Sequence, residues 1–269
     1  MTEPRTIRAT VEYDGSEFEG FQRQATARTV QGVIESAIAS SVSACVRIEA
    51  SGRTDSGVHA KGQVIAFSVS SDINDGVLQR AINAHLPGDV ALDDLHTVQN
   101  GFRPRRDAIS RVYRYRIDQG KTRPVLDRDR AWHVSQPLNL DRMRLAAEAF
   151  IGTHDFNAFT SGSQANTCRT VHDLVVWRVG DSVYLQIAAN AFLYRMVRRI
   201  VAALVRIGCG LMEVDQVTEA LQSGSRLSVQ GMAPAHGLTL LHVQYPDGDS
   251  RYNVPCFVGQ RVYSFQDEQ

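Results

Sequence analysis

The segment Gly52-Arg53-Thr54-Asp55-Ser56-Gly57-Val58-His59-Ala60 sets a carboxylate, a guanidinium, two hydroxyls and an imidazole close together. Gly52 and Gly57 let the backbone turn sharply and present Asp55 outward, with Arg53 two residues away to hold its charge. A fixed, ionised carboxylate can act as a nucleophile. From spacing alone the commoner outcome is an Asx-turn, in which Asp55 bonds its own backbone. His59 suggests acid/base work or metal binding. No second ligand stands at helical or loop spacing from it, so a packing histidine and no metal site are expected. Cys45, Cys168, Cys209 and Cys256 lie far apart with no C-x-x-C, which reads as reduced thiols.

Charge gives a second lead. The chain of 269 residues carries 29 Lys+Arg against 29 Asp+Glu, but net charge averages over faces and leaves local potential open. All the basic residues except Lys61 and Lys121 are Arg, the better bidentate donor to phosphate, although a coding bias towards Arg gives the same composition. Clustering is more telling. Between Gly101 and Arg116 stand Arg103, Arg105, Arg106, Arg111, Arg114 and Arg116 against one acid, Asp107, and such a run needs an anionic partner or solvent. Apolar runs stay short of the ~18 residues of a membrane span, and Met1 to Val11 lacks a signal-peptide pattern. A cytoplasmic protein with no membrane partner is expected.

Alternating elements must position these groups. Ile7 to Tyr13 alternates apolar with polar and ends at Asp14-Gly15, as a strand and turn do. Thr29 caps a helix to about Ser40 with Val30, Val33, Ile34, Ala37 and Ile38 on one face. Val64 to Val69 reads as a strand, and Asp75 to Leu86 as a helix stopped by Pro87-Gly88. The rhythm repeats. Arg111 to Ile117 is a strand, Asn139 to Ile151 a capped helix, and Leu174 to Val179 with Val183 to Ala188 a hairpin. A long helix is expected from about Ala191 to Ile207, a capped one from Asp215 to Leu221, and a last strand from Thr239 to Tyr245. The fold class is therefore α+β in two halves, joined near Phe102 to Asp107 without a flexible linker, so that the sheets dock or continue and leave a cleft.

At this point the Gly52–Ala60 string resembles the catalytic loop of the bacterial tRNA pseudouridine synthase A family. The likeness continues in order through Glu12-Tyr13-Asp14-Gly15 with Gly20-Phe21-Gln22-Arg23-Gln24, then Asn83-Ala84-His85-Leu86-Pro87-Gly88-Asp89 and Phe102-Arg103-Pro104-Arg105. It resumes at Arg111-Val112-Tyr113-Arg114-Tyr115, Asn190-Ala191-Phe192-Leu193 with Met196-Val197-Arg198, and Gly237-Leu238 before Val243-Gln244-Tyr245-Pro246. Phe21 stands where the family usually has Trp, Ser56 where Ala is common, and Tyr194-Arg195 at an often His-rich place. The resemblance spans Ile7 to Pro246.

The resemblance implies two ferredoxin-like or RRM-like halves, 1–104 and 105–246, whose antiparallel sheets form one continuous sheet with a cleft, and a tail, 247–269, of unassigned role. It implies an isomerase, with no cofactor or metal, that converts uridine to pseudouridine at positions 38, 39 and 40 of the tRNA anticodon arm. Asp55 would be the nucleophile, attacking the ribose anomeric carbon or the uracil ring. Arg198 would be its basic partner, Arg53 a further catalytic residue on the same loop, and Tyr113 the ring that stacks on uracil and assists proton removal. Arg23, Phe102, Arg103, Pro104, Arg105, Arg106, Cys168 and Arg169 would contact RNA, and two subunits would pair as a homodimer around tRNA. A non-catalytic RNA-binding or RNA-chaperone protein of the same fold is the alternative; a glycoside hydrolase lacks its second acid.

Overall fold

The computed structural model describes residues 3–225 and 231–246. The expected tail, 247–269, and Cys256 lie outside the described residues.

The strands are β1 (Arg5–Tyr13), β2 (Glu49–Ala50), β3 (His59–Val69), β4 (Val90–Val98), β5 (Ser110–Asp118), β6 (Trp132–His133), β7 (Gly152–Asp155), β8 (Cys168–Val179), β9 (Ser182–Ala189) and β10 (Leu238–Gln244). The helices are α1 (Val30–Val42), α2 (Asp75–His85), α3 (Leu140–Glu148), α4 (Met196–Gly208) and α5 (Asp215–Ser223). One mixed sheet runs β4-β1-β3-β10-β5-β9-β8-β7, with β2 on β3 and β6 on β5. The α+β class and the continuous sheet stand as the sequence implied.

The seam between the halves is made by the last strand. β10 pairs antiparallel with β5 along most of its length and parallel with β3 only at Thr239↔His59 and Leu240↔Ala60. Its side chains divide accordingly. Leu238 is buried in the core beneath β5 to β9, while Leu240 and Val243 are buried in the core beneath β1, β3 and β4. Tyr113 packs against both.

Local chemistry accounts for the elements. Thr29 caps α1 through its hydroxyl to the Gly32 amide, and Val30, Ile34, Ala37 and Ile38 are buried as the 3.6-residue period requires. Val30, Ile34 and Ile38 each contribute roughly 1.5–3 kcal/mol by burial. Asn139 caps α3 from its side chain. α3 closes at Glu148 instead of Ile151, because the Phe150 and Ile151 amides turn back onto Ala147 and Glu148 three residues earlier. α5 has no side-chain cap, contrary to expectation; the Gln216 side chain instead accepts the Glu213 amide. β8 starts six residues before the expected Leu174, because β7 pairs along Cys168–Val171.

The largest departure concerns α4, which begins at Met196 instead of Ala191. Residues 191–195 spend their backbone groups elsewhere: the Tyr194 carbonyl accepts the Ser161 amide, and Asn190 Oδ1 accepts the Ala191 amide. Arg195 then sits in the left-handed region at φ 63°, a conformation costly for a non-glycine residue. No Gly or Pro marks this break, and Leu193, Met196 and Val197 continue the apolar period across it.

Candidate active site

Asp55 leads a tight turn after Thr54. The Val58 amide returns to the Asp55 carbonyl at 3.2 Å, and Gly57 supplies the φ of +77° that closes the turn. Its base is fixed from three sides. Tyr13 Oη and Thr54 Oγ1 share a buried hydrogen bond at 2.8 Å, the Thr54 carbonyl accepts the Phe21 amide, and Gln63 Nε2 donates to the Gly52 carbonyl at 2.9 Å. Ser56 Oγ donates to the Phe18 carbonyl. The Asp55 side chain is about 20% exposed and points at α4 from a loop that cannot swing away.

Arg198 meets it there. Nη1 donates to Asp55 Oδ2 at 2.8 Å, and Nε donates to the Ala233 carbonyl at 2.8 Å. A guanidinium that spends one edge on a buried carbonyl and the other on a carboxylate is aimed by its own planarity. Arg195 Nε lies 3.9 Å from the same oxygen and its guanidinium covers the Tyr194 ring at 4.6 Å. Arg53 was expected to hold the Asp55 charge. It is exposed, and the ion pairs of Asp55 among the described residues are with Arg198 and Arg195. Two residues along a turn face different directions, whereas a helix brought in from the other half faces the carboxylate squarely.

Tyr113 stands on β5 where the two cores meet, half-buried, with Phe192 edge-on at 5.1 Å. Burial pushes its hydroxyl up to about 12; Arg111 pulls against this and the charge of Asp55 adds to it. At neutral pH the group is a proton donor. A cleft of about 560 Å³ opens beside Asp55, lined by Gly20, Phe21, Gln22, Arg53, Tyr194, Arg195 and Arg198 among others.

The arginine run divides by strand alternation. Arg111 is buried and donates to the carbonyls of Ser51, Arg105, Ala108 and Asn190, which ties the root of the Asp55 loop to the joining segment and to the lead into α4. Arg116 pairs with Asp127 at 2.9 Å, and Arg114 lies over Trp177 at 5.5 Å. An anionic partner or solvent was expected for the run; Arg116 has the partner in Asp127, whereas Arg111 spends its guanidinium on carbonyls and Arg114 lies on an aromatic ring. Arg103, Arg105 and Arg106 are exposed on the loop before β5. Pro104 beneath them is buried, its carbonyl accepting Tyr245 Oη at 2.7 Å, and Phe102 packs on the Tyr245 ring at 5.1 Å. Of the expected RNA-contacting run, Phe102 and Pro104 therefore support the loop from inside while its arginines face out.

Cys168 is exposed at the start of β8. Arg169 donates Nη1 to the carbonyls of Asn166 and Cys168; burial and then the nearby charge of Arg105, on the joining loop, lower its pKa. Arg23 reaches back to the buried Glu35 at 2.8 Å, a partner the sequence did not disclose. His59 is a packing residue: Nδ1 accepts the Gly15 amide and Nε2 faces the carbonyls of Asp129 and His236. Among the described residues no group of three His, Cys, Asp or Glu could hold a metal, and no helix is long and apolar enough to cross a membrane.

Arg195 and Arg111 are the site residues whose roles sequence reasoning missed. Arg195 was expected inside the helix from Ala191 to Ile207, but it precedes α4 in the left-handed region, beside Asp55. Arg111 carried a signal in its own position, in phase with Tyr113, Tyr115 and Ile117 on the inward face of β5.

Comparison with known proteins agrees with this geometry. The profile of a family described as tRNA pseudouridine synthase matches residues 9–104 and 146–246. The chain is 41% identical over 244 residues to the tRNA pseudouridine synthase A of Thermotoga sp. (strain RQ2), covering 90% of this chain and 100% of the relative. It is 42% identical over 240 residues to that of Methylobacterium sp. (strain 4-46), covering 88% and 96%, and 38% identical over 243 residues to that of Geotalea daltonii, covering 90% and 100%.

Proposed function

The chain belongs to the tRNA pseudouridine synthase A family, isomerases that act on uridine in tRNA, and on that premise we propose that Asp55 is the nucleophile and that the targets are uridines 38, 39 and 40 of the anticodon arm. The observation that carries the assignment is the 2.8 Å contact between Arg198 and Asp55 at the mouth of the cleft.

The reaction breaks the bond between ribose C1′ and uracil N1, turns the base, and joins C1′ to C5. C5 gives up a proton and N1 gains one, so the product is an isomer. Attack on C1′ and attack on the uracil ring both require one carboxylate held in place, and the Arg198 contact holds Asp55 Oδ2 there. A second acid for expelling the base is not needed, since the base never leaves the site. Tyr113, backed edge-on by Phe192, offers a face for the uracil and a hydroxyl for the closing proton transfer.

A paired uridine reaches Asp55 only after flipping out, at a cost of a few kcal/mol. Contacts to the RNA backbone offset it. Arg103, Arg105 and Arg106 from the joining loop are exposed and, with Arg169 and Cys168 from β8, suit phosphate contact, as does the exposed Arg53, which lines the cleft. Arg23 keeps part of its guanidinium free beside Glu35, and Phe102 and Pro104 hold the joining loop. The remaining parts of the proposal are a division of the chain at about 104/105, a cytoplasmic homodimer with tRNA spanning both subunits, and catalysis without a cofactor. The test is tritium release from tRNA labelled at uracil C5, comparing wild type with Asp55→Asn; turnover by the variant within tenfold of wild type would sink the assignment.

A further inference from the structure

Residues 233–237 touch α4, β5, the Asp55 turn and the start of β3. The Ala233 carbonyl accepts Arg198 Nε at 2.8 Å and the Ala233 amide donates to the Arg198 carbonyl at 3.1 Å, so one residue holds Arg198 by side chain and backbone together. The next carbonyl, of Pro234, accepts Tyr115 Oη at 2.8 Å. The Ala235 methyl stands 3.3 Å from where a Cβ on Gly57 of the catalytic turn would be. The His236 carbonyl lies 3.0 Å from His59 Nε2.

Tyr115 is the least expected of these partners. Its ring is fully buried in the core beneath β5, the position of a residue that serves packing alone, yet its one polar atom points at the segment that holds Arg198. Gly237 confirms that the fit is close: a Cβ there would stand 2.6 Å from Tyr115 Cζ. The constraint has a short, stiff path to travel. Tyr115 fixes the Pro234 carbonyl, the proline ring locks φ at −52°, and the planar Ala233–Pro234 peptide carries the orientation to the carbonyl that accepts Arg198 Nε.

Resting on the assignment of Asp55 and Arg198 made above, we infer that Tyr115 is a positioning residue for the isomerisation: its hydroxyl pins the Pro234 carbonyl, and the proline passes that constraint back to the Ala233 carbonyl, which aims Arg198 at Asp55. Tyr113 and Tyr115, two positions apart on one face of β5, thus divide the work, the first meeting the base and the second setting the nucleophile's partner.

Tyr115→Phe keeps the ring and removes only the hydroxyl. In tritium release from C5-labelled tRNA, kcat should fall roughly tenfold while KM stays at the wild-type value, since a small misplacement of a catalytic group slows chemistry and no RNA contact moves. Ile82→Val, in the other core, lowers the melting temperature without touching the site and should leave kcat unchanged. Combining Tyr115→Phe with Arg198→Lys separates positioning from general loosening: if Tyr115 acts through Arg198, the double variant is no slower than Arg198→Lys alone. A Tyr115→Phe enzyme within twofold of wild-type kcat, or losses that multiply in the double variant, would overturn the inference. Should Tyr115→Phe fail to fold, Pro234→Ala decides: lower kcat at constant KM supports the role, and wild-type kcat overturns it. Asp55→Asn is assayed alongside; activity there defeats the nucleophile assignment, a failure distinct from that of Tyr115.

Discussion

Arg198 and Asp55 lie 143 positions apart in the chain and meet at 2.8 Å. One comes from the first turn of α4 and the other from the turn before β3, so the contact exists only when both halves are folded and joined through β10. Placing the pair at the seam makes the environment of Asp55 depend on the integrity of the whole sheet.

Asp55→Asn and Asp55→Ala should both abolish pseudouridine formation while tRNA affinity stays largely intact. Tritium release measures the first and filter binding the second. Residual turnover within tenfold of wild type would remove Asp55 from the nucleophile role.

Arg198→Lys keeps a positive charge but cannot serve the Ala233 carbonyl and Asp55 together in the planar geometry of a guanidinium. Single-turnover rates should fall about 10²-fold. Loss of a hydrogen bond to a charged group should lower stability by about 1.5–3 kcal/mol, read from urea unfolding. Wild-type rates in this variant would mean that Asp55 needs only a nearby cation.

Tyr113 separates chemistry from packing. Tyr113→Phe keeps the face and loses the hydroxyl, so turnover should fall by roughly 10²–10⁴-fold with affinity little changed. Tyr113→Leu loses the stack as well and should weaken binding by about 1–3 kcal/mol. A fully active Phe variant with a destabilised Leu variant would assign Tyr113 to the core.

The same tyrosine predicts a pH effect on stability. Its folded pKa of about 12 exceeds the unfolded value of 10, so the unfolded chain loses the proton first. The stabilisation is complete below pH 10 and is lost as pH rises towards 12, by about 2–3 kcal/mol in all. Tyr13, Tyr115 and Tyr245 are raised by burial in the same direction and steepen the wild-type loss. Urea unfolding at pH 8, 10 and 11 should show a shallower decline for Tyr113→Phe than for wild type; parallel curves would contradict the shift.

Affinity for tRNA should fall steeply with salt despite the formal net charge of zero. Each neutralised phosphate contributes a slope of about −0.7 to −0.9 in log K against log salt. Arg103→Ala or Arg105→Ala should reduce the slope by about one phosphate. Arg111→Met, by contrast, should leave the slope alone and cost about 3 kcal/mol or more in stability, because four carbonyls lose their donor. A slope change in Arg111→Met would make it a phosphate contact.

The sequence by itself determined the alternation of strands and helices, the α+β class, the caps at Thr29 and Asn139, the family, and Asp55 as the singular carboxylate. These are local matters: apolar period, turn chemistry and motif strings are written within a dozen residues of one another. What surrounds Asp55 is not local. Arg53 is its neighbour in sequence, yet Arg198 and Arg195 are its neighbours in space, because the turn faces α4 across the seam. The sorting of the 101–116 arginines into buried Arg111, stacked Arg114 and exposed Arg103, Arg105 and Arg106 likewise depends on which face of β5 is covered and how the joining loop sits on Tyr245. The break before α4 was silent in sequence because tertiary hydrogen bonds from residues 160 and 161, not a helix-breaking residue, take up the backbone there. A side chain's type limits the chemistry it can do, but its charge, protonation and aim are set by whatever the folded chain packs against it, and for Asp55 that partner arrives from 143 residues away.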